Sequence, residues 1–255
     1  MTRRHEPKEG TCQICGNFGL LSFEHVPPKA AFNKHPTIEV PIFDSLKLGP
    51  FVEVKGPTQQ GGIGGYTLCG SCNNKTGKWY GNAFVDWCYQ GMELLKKTNG
   101  EPTLHYFYYL FPLRVVKQMV AMFLSVNSQK FRLKEEDLVR FVLDRNRKYL
   151  PPRYRFFAYY NLSNLSRFVG ASVRSNVETG KVILMTEINF PPFGYVMTLQ
   201  SEPPNDRLVE ITHFTRYGYE DRIQTALKLP VLPVASPYPG DYRSRETIIS
   251  SAQGS

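Results

Sequence analysis

An α+β fold is predicted for this chain: a small N-terminal strand–strand–helix unit, then helices, then an antiparallel sheet. Three observations predict it. Four of the five cysteines form two Cys-x-x-Cys pairs, Cys12/Cys15 and Cys69/Cys72, each placed beside a short strand-like run. Two later stretches, Leu113 to Val126 and Lys134 to Tyr149, carry apolar residues at helical spacing. Four strand-like runs then follow at 154–162, 166–176, 181–190 and 193–200, separated by turns too short for crossovers.

Composition sets the frame. The 255 residues are 42% hydrophobic and 21% charged, an ordinary globular balance that argues against disorder, collagen or coiled coil. The longest uncharged run, Gly56 to Asn74, is rich in Gly, Gln and Thr and cannot be a membrane span. The first six residues, Met1-Thr2-Arg3-Arg4-His5-Glu6, lack the apolar core of a secretory signal, so a cytoplasmic protein is expected. A net charge of +9 and a pI near 9.3 suit a polyanionic partner, most simply nucleic acid, and equally suit plain solubility.

In order along the chain, residues 1–10 are polar and expected to be loose. Gly16 after Cys15 permits a tight turn that aims both thiolates at one point. Leu20 to Val26 reads as a strand ended by Pro27-Pro28. Residues 29–62 read as an inserted loop with one small strand. Tyr66 to Cys69 is a second strand, and a helix begins near Asn73, with Ser71 or Asn73 as its cap. Gly77, Gly81 and Gly91 argue against one straight helix there. The polar run 96–102 marks a boundary, giving expected domains at 1–100 and 101–255. In the helix at 134–149 the acids come first and the bases last, as the helix dipole favours. Val209 to Tyr217 is expected as a fifth strand, and the Pro-rich tail beyond Pro230 as a surface wrap.

In a reducing compartment two Cys-x-x-Cys pairs read as metal ligands rather than disulfides. Together they match a closed four-thiolate zinc site, which is structural and performs no hydrolysis. The 53 residues between Cys15 and Cys69 (69 − 15 − 1) make the pairs frame an insertion rather than a bare hairpin. Cys88, on an apolar helical face, reads as a core residue.

What lies between the pairs carries the chemistry. Glu24-His25-Val26-Pro27 ends the first strand, and Asn73-Asn74-Lys75 follows the last cysteine. A zinc staple would bring these two places together, assembling an imidazole, a carboxylate and side-chain amides. An imidazole takes a proton from water near neutral pH, and oxygen donors suit a hard divalent ion such as Mg²⁺ or Mn²⁺. That set suits phosphodiester hydrolysis.

On these residues the chain resembles the HNH endonucleases, the zinc-knuckled ββα-metal or His-Me finger nucleases. The resemblance covers residues 12–85. It implies His25 as general base, Glu24 as acidic ligand of a catalytic divalent ion, Asn73 as its second ligand, and Asn74 as a further ligand or a loop brace. It implies a structural zinc on Cys12, Cys15, Cys69 and Cys72, cleavage of double-stranded DNA, and 5′-phosphate with 3′-hydroxyl ends. The chain departs from the family where a middle Asn is usual: Gly64 stands there, and Asn33 or a backbone contact is expected to brace the loop instead. Adjacent strand residues also face opposite ways, so Glu24 and His25 share a site only if the strand bends or bulges.

Lys29, Lys75 and Lys78 are candidate phosphate contacts beside that site. The run 145–155 interleaves Arg145, Arg147, Lys148, Arg153 and Arg155 with tyrosines, a pattern that fits nucleic acid and fits a charge-complemented helix end equally. The second half could position DNA, form a homo-oligomer or sense a licensing signal; a nuclease joined to an unrelated domain is similar to restriction and phage-defence effectors. A non-catalytic zinc module and an RNase are the competing readings. A zinc deaminase is excluded, because its His-x-Glu and Pro-Cys-x-x-Cys order is absent.

Overall fold

The computed structural model describes residues 8–41, 44, 56, 58–98, 100–163, 165–175 and 180–253. It is an α+β structure with two main sheets. The smaller sheet is antiparallel in the order β1 (Lys8–Thr11), β2 (Phe18–His25), β5 (Gly64–Cys69). Residues 8–10, expected to be loose, pair with β2 together with Thr11 because the hairpin turn at Cys12–Asn17 brings them back along it: Cys12 N donates to Asn17 O at 3.0 Å and Gly16 N to Cys12 O at 2.9 Å. Gly16 takes the left-handed φ of +79° that this turn demands. Within the insertion, β3 (Thr37–Ile38) and β4 (Thr58–Gln59) form a small ladder; most of residues 42–57 lies outside the described residues.

From β5 the chain enters α1 (Gly70–Thr76), one π-helical turn (Gly77–Gly81) and α2 (Asn82–Leu95). The backbone stays helical through both junctions, so the glycines mark a widened turn rather than a break. α1 starts at Gly70 with Cys69 at the cap position and no side-chain cap, so neither Ser71 nor Asn73 caps it.

The second half opens with β6 (Thr103–Leu110), which the sequence reading left unassigned, and α3 (Pro112–Val126), almost wholly buried. The expected helix at 134–149 is instead α4 (Gln129–Lys134) and α5 (Glu136–Leu143), divided at Glu135, whose φ/ψ of −109°/47° is not helical. α5 ends early because the Lys117 ammonium takes the carbonyls of Phe141 and Asp144. The larger sheet follows the order β6, β12 (Ile223–Leu232), β7 (Tyr154–Asn161), β10 (Phe193–Leu199), β9 (Val182–Phe190), β8 (Arg167–Ser175). It is antiparallel except where β12 runs parallel to β7. The fifth strand shrinks to β11 (Val209–Glu210), because the Thr212 hydroxyl accepts the Phe156 N–H and the chain turns into a 3₁₀ helix (Thr212–Arg216).

Alternation on β7 separates two cores. Phe156, Ala158 and Tyr160 join the large cluster formed with the helices and the cysteine-bearing unit, while Phe157 and Tyr159 join a smaller one with Val234 and Tyr242 from the tail. The large cluster takes residues from both sides of 96–102, from Cys12, Leu68 and Trp87 to Phe123 and Tyr195, so that stretch connects α2 to β6 without separating two cores. Trp87 stacks on Phe193 with ring centroids 4.6 Å apart, and its indole N–H donates to Tyr195 Oη at 2.9 Å. Cys88 is buried beside them, as expected of a core thiol. Among the described residues no helix is long and apolar enough to cross a membrane.

Candidate metal centre and active site

The β1–β2 turn carries Cys12 and Cys15, and the β5–α1 junction carries Cys69 and Cys72. β5 is hydrogen-bonded to β2 with Cys69 opposite Leu21, which brings the two pairs together across 53 intervening residues. All four sulfurs lie within 4.8 Å of one another, and Cys15 Sγ is 3.8 Å from Cys69 Sγ. Four sulfurs about 2.3 Å from a tetrahedral zinc would stand about 3.8 Å apart, so the cluster fits zinc. The electrostatics agree. The Cys72 thiol hydrogen bond, helped by backbone amides of Cys69, Cys15 and Ile14, brings Cys12 down to about 4 against the cost of its burial. The same hydrogen bond, with burial, pushes Cys72 up. One thiolate is thus already favoured before any ion arrives.

β2 runs from this cluster, where Leu21 lies opposite Cys69, to His25 four residues further on. His25 lies opposite Gly64, and its Nε2 is 3.0 Å from the Gly61 carbonyl oxygen. A carbonyl can only accept, so Nε2 carries the proton and Nδ1 of the neutral ring carries the lone pair. The Phe23 ring meets the imidazole edge-on at 5.0 Å and limits its rotation. Residue 64 must be glycine here: a Cβ at Gly64 would lie 2.1 Å from the Glu24 carbonyl oxygen.

Asn33 supplies the brace. It is 1% exposed, and its Nδ2 donates to Pro27 O and Ile63 O, both at 2.7 Å, while its Oδ1 accepts from Ile63 N at 2.7 Å. These three bonds tie the turn after His25 to the segment entering β5, the same segment that offers Gly61 to the imidazole.

Glu24 is 5% exposed and lies between the small sheet and α3. Its Oε2 accepts from Ser125 Oγ at 2.7 Å and Thr67 Oγ1 at 3.0 Å. Burial pushes its carboxyl up to about 7, although both hydroxyls pull it down. The irregularity is not at Glu24–His25, where a bend was needed for both to face one site: Glu24 and His25 pair regularly with Gly65 and Gly64 and so face opposite ways. Pairing shifts instead between Ser22 and Phe23, leaving Thr67 as the extra residue on β5, and that bulge is what aims Thr67 at Glu24. Asn73 reaches across from α1 to β2, its Nδ2 donating to Ser22 Oγ at 3.1 Å and Phe23 O at 3.3 Å. Both bonds use the amide nitrogen, and Oδ1 is the atom a hard cation would take. Asn74 is exposed on the same helix.

So Asn73 sits against the backbone next to Glu24, and His25 follows directly. The carboxylate itself is turned toward α3, and Ser125 is a partner no local signal announces, since it lies 101 residues away in sequence.

The basic candidates divide. Lys29, Lys75, Lys78, Arg145 and Lys148 are exposed. The Lys75 ammonium lies 5.6 Å over Trp79, and Arg145 lies 5.2 Å over Tyr219, whose hydroxyl donates to Trp79 O at 2.9 Å; these cations therefore share one surface. The other three are neutralised within the chain: Arg147 faces Asp137 at 3.7 Å, Arg153 pairs with Glu135 at 2.8 Å, and Arg155 with Glu202 and Glu210 at 3.1 and 2.9 Å. Their carboxylates come from α5, its cap, the loop at Glu202 and β11, so the run 145–155 did not reveal them.

Comparison with protein-family models, with curated proteins and with solved structures finds no match to this chain.

Proposed function

We propose that the chain is a metal-dependent endonuclease of the HNH type acting on DNA. The observation that carries this reading is His25: an imidazole at the end of a strand clamped by the cysteine cluster, with its Nε2 proton committed to Gly61 O at 3.0 Å. That bond fixes the tautomer with its lone pair on Nδ1, the nitrogen that would take a proton from water as it attacks a phosphate. As the bond to Gly61 O strengthens when the ring becomes cationic, it also stabilises the product of that proton transfer. Asn73 and Glu24 would hold a divalent ion through Oδ1 and Oε1, since the nitrogen and Oε2 are already engaged. Such an ion, Mg²⁺ or Mn²⁺, would supply charge for the phosphorus centre and the departing oxygen. The four cysteines would hold zinc as scaffold only. Asn33 takes the bracing role in this reading, and Lys29, Lys75, Lys78, Arg145 and Lys148 are the phosphate contacts.

One observation favours a second reading, a non-catalytic zinc module that binds nucleic acid. The Glu24 carboxylate is buried against Ser125 and Thr67, as a structural residue would be. Incubation of zinc-loaded protein with supercoiled plasmid and with single- and double-stranded RNA, each with Mg²⁺, Mn²⁺ or EDTA, separates the readings. Metal-dependent nicking of plasmid is expected. Retained DNA binding with no cutting under either metal would favour the module, and cutting confined to RNA would move the assignment to an RNase.

A further inference from the structure

A second candidate site lies across the large sheet. After β12 the chain folds over the sheet face opposite the helices, and between this strap, the end of β8 and the loop before β11 is a half-open cavity of about 700 Å³. None of its lining residues belongs to the cysteine-bearing stretch. We infer that this cavity binds a phosphorylated small molecule of nucleotide size.

The charge is the first argument. Among the described residues Arg174, Arg207 and Arg243 line the cavity, against the single carboxylate of Asp241. Asp241 is taken by Arg243, at 2.8 Å. The other two guanidinium groups are positioned by backbone carbonyls, which orient a cation without neutralising it: Arg174 donates to Gly240 O at 3.1 Å, and Arg207 to Pro102 O at 3.3 Å. Planar guanidinium forks pair with phosphate oxygens two at a time, which favours a phosphoryl group over a simple halide or a lone carbonyl. Ser244 and Thr247, at the start of α6 (Arg245–Gln253), complete the polar side.

The second argument is construction. The strap is pinned from below by a buried ion pair, Arg167 to Glu187 at 2.7 Å. Arg167 donates to the carbonyls of Ser236, Tyr238 and Asp241, at 2.7, 2.6 and 3.2 Å, and Glu187 accepts from Gly240 N at 3.2 Å. A buried ion pair is a poor source of net stability, because desolvation offsets most of its attraction. What this one accomplishes is to fix the backbone that presents Gly240 to Arg174 and carries Asp241 and Arg243. The cavity is therefore built by the fold rather than left between loose loops.

Size and wall composition select the ligand. Sites for small molecules run from about 300 to 1,000 Å³. A free phosphate would fill a minor part of this one. Pro204, Leu232 and Pro233 add apolar lining beside the arginines, suited to a ring. A phosphate joined to a flat ring system, a nucleotide, suits both the charged and the apolar lining.

The test uses the full zinc-loaded chain and isothermal titration with ATP, inorganic pyrophosphate and adenosine, in buffer without divalent ions so that no cutting intervenes. Saturable ATP binding is expected, at least tenfold tighter than adenosine and tighter than pyrophosphate. The double variant Arg174→Ala/Arg207→Ala should weaken ATP at least tenfold, and Arg140→Ala, remote on α5, should leave it unchanged. Pyrophosphate binding as tightly as ATP would reduce the site to a phosphate site and overturn the nucleotide assignment. ATP binding no tighter than adenosine, or unaltered by the double variant, would overturn the site. So would a result in which these arginines govern duplex DNA binding while ATP does not bind. Should the double variant melt early, Arg174→Lys/Arg207→Lys keeps charge and loses the forks, with ATP weakening again expected; absence of saturable ATP binding by the unaltered chain is decisive alone. No arm involves cleavage, so failure here leaves the nuclease proposal standing, and the reverse.

Discussion

Asn33 holds Ile63 by both of its backbone groups, accepting from its N–H and donating to its carbonyl, each at 2.7 Å. The amide thereby behaves as a one-residue strand partner and joins two segments 30 positions apart. Its second amide proton goes to Pro27 O, at the turn that follows His25. Asn33→Ala would leave one buried and two partly buried backbone groups without these partners, and unsatisfied buried groups cost roughly 1–3 kcal/mol each. Partial rehydration reduces the sum, so a loss of about 2–4 kcal/mol is expected, read as a shift of the urea midpoint. Asn33→Asp should not restore stability, because a carboxylate faces two carbonyls where an N–H₂ donated. Unchanged stability in Asn33→Ala would remove the brace from the account.

The thiolate cluster predicts one zinc per chain, released by a strong chelator together with loss of fold. Cys69→Ser should bind zinc more weakly by orders of magnitude and melt at a lower temperature, measured by colorimetric zinc release and circular dichroism. Cys88→Ser should keep its zinc, since Cys88 is buried beside Tyr195 Oη, 3.9 Å away, in the core between α2 and the sheet.

Glu24→Gln separates structure from catalysis. The amide can still accept from Ser125 and Thr67, and it removes the cost of burying a charge, so stability at neutral pH should be unchanged or higher. Metal-dependent cutting should fall by at least a hundredfold if the carboxylate holds the divalent ion. A variant that cuts at the normal rate would assign Glu24 to the scaffold.

Lys117 predicts a pH dependence away from both sites. Its side chain is fully buried on α3, with its ammonium on Asp144 O at 2.8 Å, on Phe141 O, and 3.8 Å over the Phe141 ring. Burial lowers it from 10.5 to about 7, while Asp144 opposes the shift and Arg147 adds to it. Between these values the unfolded chain binds the extra proton, so stability rises with pH across that window. Below about pH 7 both states are protonated and the dependence vanishes. Lys117→Met lacks the group. From pH 7 to 9.5 the unaltered chain should therefore gain on the order of 3 kcal/mol relative to the variant, at about 1.4 kcal/mol per unit. Parallel pH profiles would contradict this.

Local pattern made some of the structure legible. The cysteine pairs, the strand ending at His25 and the four strands from 154 to 199 follow from spacing and alternation, and they appear within a residue or two of expectation. Three things did not. β6 and β12 pair with each other over eight residues, yet β6 is crowded with exposed aromatics and β12 contains Pro230, so neither alternates cleanly. The break at Glu135 depends on tertiary partners, because the Glu135 carboxylate is needed by Arg153 and Tyr154. The surroundings of Glu24 come from Thr67 and Ser125, which only the folded chain brings together. Asn33 is the intermediate case: its residue type suited a brace, and only the folded chain shows which backbone groups it grips.

The most direct test of the central claim is plasmid nicking by His25→Ala, run beside zinc quantification on the same sample. The account predicts one zinc per chain, an unaltered melting curve, at least a thousandfold loss of Mg²⁺-dependent nicking, and partial recovery with added imidazole. Nicking at the normal rate by a zinc-loaded, folded His25→Ala protein would contradict it.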